Sequence, residues 1–65
     1  MIQDSDNLPY VTVLHGVGVF VAVMLTWMPA SQEYKITSTS KSRKTEEAAK
    51  KDEERLATLY KVEVR

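Results

Sequence analysis

Between Tyr10 and Met28 the chain runs YVTVLHGVGVFVAVMLTWM without one formally charged side chain. No other feature limits the possible architectures as sharply. Coiled into an α-helix, this stretch extends about 28 Å, close to the roughly 30 Å hydrocarbon core of a bilayer. Tyr10 and Trp27 stand at its ends, where amphipathic aromatic rings favour the headgroup level. Asp6 or Asn7 is placed to cap the start, Pro9 suits a first helical turn, and Pro29 ends the run. These features predict one transmembrane helix over residues 9–28, preceded by a short acidic segment, 1–8.

Three other readings are weaker. A buried helix of a water-surrounded domain needs cover on every side, and the rest of the chain has too little apolar material to supply it. A β-strand is suggested by Val11, Val13, Val17, Val19, Val21 and Val23, all at odd positions. The even positions are mostly apolar or small as well, however, and a lone strand leaves its edges unpaired in lipid. A cleaved signal peptide needs a basic start, whereas this one is acidic, and Met28 is too large for the −3 site of a cut after Ala30.

Charge divides the chain. Residues 1–30 hold Asp4 and Asp6 and no base, whereas all the lysines and arginines lie beyond residue 30. Lys35, Lys41, Arg43 and Lys44 follow the apolar run closely, so the positive-inside rule places the C-terminal part in the matrix, or in the stroma for a thylakoid protein. The N-terminus then faces the intermembrane space of a mitochondrial inner membrane. The same four bases are candidates for contact with anionic lipid headgroups.

On a helical projection Thr12, His15, Gly18, Ala22 and Thr26 share one arc, opposite Val13, Val17, Phe20, Met24 and Met28. Small residues permit close approach of helices in lipid, so this arc is the expected packing interface. His15 is the only ionisable group in the run. The pair His15-Gly16 followed by an apolar stretch resembles the small haem-binding cytochrome subunits of photosystem II, which implies axial ligation of haem or a chlorin by His15. The arginine–tryptophan approach of those subunits to their histidine is missing. A hydrogen bond from neutral His15 to a neighbouring helix is the favoured role, and no cofactor is expected.

Residues 29–44 read as a polar, basic linker and 45–62 as a charged docking helix. Thr45 is the cap, Glu46 and Glu47 suit the first turn, and Glu46–Lys50 and Glu47–Lys51 are favourable i,i+4 pairs. Leu56, Leu59 and Tyr60 supply the apolar contacts by which this tail would dock. Glu53 and Glu54 read as a solvated face. Residues 63–65 form a terminal extension, and the alternating KVEVR pattern of residues 61–65 suits a short added strand.

The chain has no cysteine and one histidine, which excludes disulfides, thiolate zinc sites and iron–sulfur clusters. No phosphate-binding glycine loop, nucleophile–base pair or metal-ligand spacing appears, so neither an enzyme, a metal site nor a small-molecule substrate is expected. Nucleic acid is not expected as a partner either, because the acids of the tail cancel its bases and no aromatics are interleaved with them. The expected fold class is thus an all-α membrane protein. One apolar helix, a polar linker and a charged helix resemble the small single-pass accessory subunits of respiratory-chain and photosynthetic complexes. That resemblance implies a non-catalytic role in assembly and stability, with other subunits of a mitochondrial inner-membrane complex and membrane lipids as partners. A regulatory micropeptide binding one transporter is a further alternative.

Overall fold

Glycine and β-branched residues decide the outcome against the helix. In the computed structural model, which describes residues 7–65, the apolar run is split into two strands, β1 (Tyr10–His15) and β2 (Phe20–Met28). They pair antiparallel from Tyr10↔Leu25 to His15↔Phe20. The turn between them is closed by the Gly16 N–H donating to the Val19 carbonyl at 2.9 Å. Gly18 carries φ 71°, as at the third position of a type II turn, where a side chain would be strained. The valines favour the same result, since β-branching costs rotamer freedom in a helix and packs well on a pleated surface.

A second turn leads to β3 (Glu33–Thr39), antiparallel to β2. Met24 faces Ser38 and Leu25 faces Ile36, so Thr37 is the extra residue of a β-bulge. The chain then forms α1 (Glu46–Tyr60) and ends in β4 (Glu63–Val64), parallel to β1. The strand order is β3-β2-β1-β4. A three-stranded meander is thus followed by one helix that carries the chain back across the sheet to its far edge.

The capping of α1 is local chemistry. The Thr45 hydroxyl accepts from the Ala48 N–H at 3.2 Å, and Glu46 and Glu47 lie in the first turn, where the helix dipole favours negative charge. At the other end Lys61 adopts a left-handed conformation, φ 56° and ψ 49°, and both its N–H and that of Val62 turn back to the Ala57 carbonyl. Because a β-carbon is unfavourable in that conformation, Lys61→Gly should stabilise the fold by about 0.5–1 kcal/mol, read as a higher midpoint in urea.

Helix and sheet meet through small residues. Val11 of β1, Ala22 of β2 and Ala49 of α1 are fully buried, and with Val23 they are the buried hydrophobic residues of the described chain. The sheet-facing stripe of α1 reads Ala49, Asp52, Glu53 and Leu56, the i, i+3, i+4, i+7 spacing of a packed helix face.

This architecture replaces the all-α membrane fold that the sequence suggests. Among the described residues no helix is long and apolar enough to cross a membrane. The run taken as a transmembrane helix over 9–28 is a β-hairpin. The even-numbered positions are apolar because both faces of the hairpin carry apolar side chains, one of them against α1. The residues taken as a polar linker include β3, whose Tyr34 and Ile36 share one face of the sheet. The acidic start, with Asp4 and the proposed cap Asp6, lies outside the described residues.

Candidate functional site

Strand pleating assigns every residue of the hairpin to a face. Val11, Val13, His15, Phe20, Ala22 and Met24 point toward α1, as the 3.5 Å approach of His15 Nε2 to Glu46 Oε2 confirms. Tyr10, Thr12 and Leu14 of β1, with Val21, Val23, Leu25 and Trp27 of β2, point the other way, joined by Tyr34 and Ile36 of β3. Among the described residues no other strand or helix packs across this second face. Val23 at its centre is nevertheless buried, and Tyr10, Val21, Leu25, Trp27 and Tyr34 are half-buried, so its exposed aliphatic side chains are those of Leu14 and Ile36.

Its aromatic members brace one another. The Tyr34 ring lies edge-on to Trp27 at 5.2 Å and to Tyr10 at 5.0 Å between centroids. The Arg65 guanidinium sits 4.6 Å from the centre of the Tyr10 ring, and Arg65 pairs with Glu63. The Tyr34 hydroxyl donates to the Leu8 carbonyl at 3.1 Å. With the rings held edge to face, the freely exposed area is aliphatic. Leu14 is 42% exposed and Ile36 49%, while Val17 at the hairpin tip is fully exposed.

The helix-covered face contains charge. Arg43 is fixed by a backbone bridge to Phe20, with N–H···O distances of 2.6 and 2.7 Å. From there its guanidinium grips the buried Asp52 carboxylate at two points, Nε to Oδ2 at 2.7 Å and Nη2 to Oδ1 at 3.2 Å. That hydrogen bond is the main reason the Asp52 carboxyl titrates below its ordinary range, while burial opposes the shift. Neighbouring Glu53 is also buried but has no such partner, and burial pushes its carboxyl upward, against the attraction of Lys50.

The two acids therefore pull stability in opposite directions. Asp52, with its folded pKa depressed, contributes stability that is present above its unfolded pKa and lost as pH falls through the folded value. Glu53, with its folded pKa raised, contributes stability below its unfolded pKa of about 4.3, and this is lost as pH rises through the folded value. Glu53→Gln should accordingly raise the melting temperature at neutral pH and leave it nearly unchanged below about pH 4. Thermal unfolding from about pH 3 to about pH 8 measures this directly. An equal gain at every pH would point to packing rather than to ionisation.

The residues singled out from the sequence fall in several places. Gly18 is in the turn, Thr12 is on the uncovered face, and His15, Ala22 and Thr26 are on the helix side, so the arc they form on a helical projection does not exist in the sheet. His15 lies on β1, edge-on to Phe20 at 5.0 Å beside Glu46, and not on a membrane-spanning helix. Lys35, Lys41, Arg43 and Lys44, read as a lipid-contacting group flanking a membrane helix, do not flank one in the fold. Lys35 is on β3 near Glu33, whereas Lys41, Arg43 and Lys44 precede α1 and Arg43 is committed to Asp52. Leu56 is half-buried beside Arg43 and Asp52, Leu59 is 67% exposed, and the Tyr60 hydroxyl accepts from Ser38.

Sequence reasoning missed Asp52 and Glu53 as buried groups. Their spacing from Ala49 and Leu56 was the available signal, obscured because acidic residues normally mark the solvent side of a helix. No protein-family model, curated protein or solved structure matches the chain.

Proposed function

We propose that this chain is a non-catalytic association module whose uncovered sheet face binds the same face of a second copy. The observation that carries the reading is a mismatch between apolar content and apolar burial. Hydrophobic residues make up 43% of the sequence, yet the buried ones among the described residues are Val11, Ala22, Val23 and Ala49. A domain of this size ordinarily needs a disulfide, a metal or association to supplement its core. Cysteine is absent, and no cluster of three or more His, Asp or Glu side chains suited to a metal occurs among the described residues. Association through the open face is the supplement this composition favours.

A second copy is favoured over an unrelated partner on charge and chemistry. The sequence has nine bases and nine acids, so net repulsion between copies is absent. The charged side chains on the open face, Glu63 and Arg65, already neutralise each other. Aliphatic Leu14, Leu25 and Ile36 match a like surface, whereas stacking on nucleic-acid bases would need aromatic faces that are here engaged edge to face. Two such sheets packed about 10 Å apart form a β-sandwich, with α1 of each copy on the outside. The non-catalytic part of the reading is supported by the use of the charged groups, since the Arg43 guanidinium and the Asp52 carboxylate are engaged with each other.

Sedimentation equilibrium over a concentration series is the test. The expected result is a reversible transition between the chain mass and twice that mass. A single species at the chain mass across the series would refute self-association, and a folded chain recovered only with a different protein would replace the second copy with that protein.

A further inference from the structure

Beside the helix-covered face, and apart from the open one, the connection into α1 and the middle of that helix enclose a cleft of about 330 Å³. It is lined by Ser40, Lys41, Arg43, Asp52, Arg55 and Leu56. Three cations thus surround one carboxylate. We infer that this cleft is a binding site for a phosphate monoester carried on a small organic group.

Its walls are held in place. The Ser40 N–H donates to the Ala22 carbonyl at 2.8 Å, and the Ser40 hydroxyl accepts from the Ala22 N–H at 3.1 Å. The Arg43 backbone is bridged to Phe20 as described above. Both arginines converge on Asp52, Arg43 through its two-point contact and Arg55 through Nη1 at 3.8 Å from Oδ1. Asp52 itself is 5% exposed, so its charge is spent on orienting the guanidinium of Arg43 rather than on the solvent. Arg43 and Arg55 remain 38% and 75% exposed, which leaves donors free beyond those that face Asp52.

The chemistry of the ligand follows from this arrangement. Two guanidiniums and one ammonium against a single screened carboxylate leave a local excess of positive charge. Arg43 is held by Asp52, and the exposed Arg55 guanidinium has the fork geometry that suits the oxygens of phosphate. Leu56 supplies an apolar wall for the rest of the molecule. The volume is at the small end of the roughly 300–1,000 Å³ typical of small-molecule sites, which favours a compact ester over an extended polymer.

Phenyl phosphate is a suitable probe, with inorganic phosphate for comparison, in amide NMR titrations of the full chain at constant ionic strength. The expected result is saturable shifts confined to residues 40–43 and 52–56, with phenyl phosphate binding more tightly than inorganic phosphate. Lys41→Ala combined with Arg55→Ala should weaken binding about tenfold or more, because each removes a charged donor. Lys35→Ala, on β3, should leave it unchanged. Arg55→Gln alone gives a smaller loss and serves where the double variant is not fully folded. Shifts that do not saturate, that sodium chloride reproduces, or that survive the loss of both cations would overturn the assignment. Loss of binding together with an intact monomer–dimer equilibrium would separate this site from the association face.

Discussion

Leu14→Asp combined with Ile36→Asp should shift the chain to the monomer at every concentration where the parent dimerises. Both side chains lie on the open face and are nearly half exposed in the single chain, so neither substitution removes much of the intramolecular core. In the sandwich they would be covered. Complete burial of such a side chain contributes roughly 1.5–3 kcal/mol, and half of each is already lost to water in the monomer. The substituted carboxylates add a further penalty, because they would be buried without partners. Together these terms predict a dissociation constant raised by at least about a hundredfold. Sedimentation equilibrium of the variant beside the parent checks it. Lys51→Asp, on the outer side of α1, should have no comparable effect. If both variants weaken association equally, the contact is not made by the open face.

The second large effect is expected at the Arg43–Asp52 pair. Arg43→Met leaves the Asp52 carboxylate buried without its two-point partner, with the solvent-exposed Arg55 at 3.8 Å and the Ser40 hydroxyl as weaker compensation. Breaking a buried pair from one side is strongly destabilising, since an uncompensated charge remains. Replacing both partners by apolar residues of similar volume removes that charge, and this exchange is often neutral or favourable. The melting temperature should therefore fall sharply in Arg43→Met and return close to the parent value in Arg43→Met/Asp52→Leu. The loss should also depend on pH in the manner set by Asp52. At the acid end, where the carboxyl is protonated, Arg43→Met should differ least from the parent. A double variant as unstable as the single one would show that Arg43 acts through the backbone bridge to Phe20 and not through Asp52.

The helix is the part of the fold most legible in the sequence. Thr45, Glu46 and Glu47 mark its start by their chemistry, and those signals depend on nearby residues alone. The hairpin was harder, although its evidence was present. Six valines alternate from Val11 to Val23, and Gly16 and Gly18 interrupt them at the turn. What concealed it was that the intervening positions are apolar too, so the pattern lost its polar phase. That phase is absent because one side of the hairpin packs on α1 while the other presents Leu14, Val21, Leu25 and Trp27 outward. An apolar sheet face that no described element crosses looks, in sequence, like a membrane span. The four-strand order was not legible, because the parallel pairing of β4 with β1 depends on where a helix carries the chain in three dimensions. Of the candidate site, the aromatics were visible as residues but not as a cluster, since Trp27, Tyr34 and Tyr10 meet only through the registers of β1, β2 and β3.

In the proposed dimer, the face of the sheet opposite α1 is the contact between copies. Isotope-filtered NMR on an equal mixture of labelled and unlabelled chains observes that contact alone. Intermolecular NOEs are expected among Leu14, Leu25, Trp27 and Ile36, and none from the outward side chains of α1. NOEs confined to α1 or to the backbone edge of β3, or none at concentrations where the chain sediments as a dimer, would contradict it.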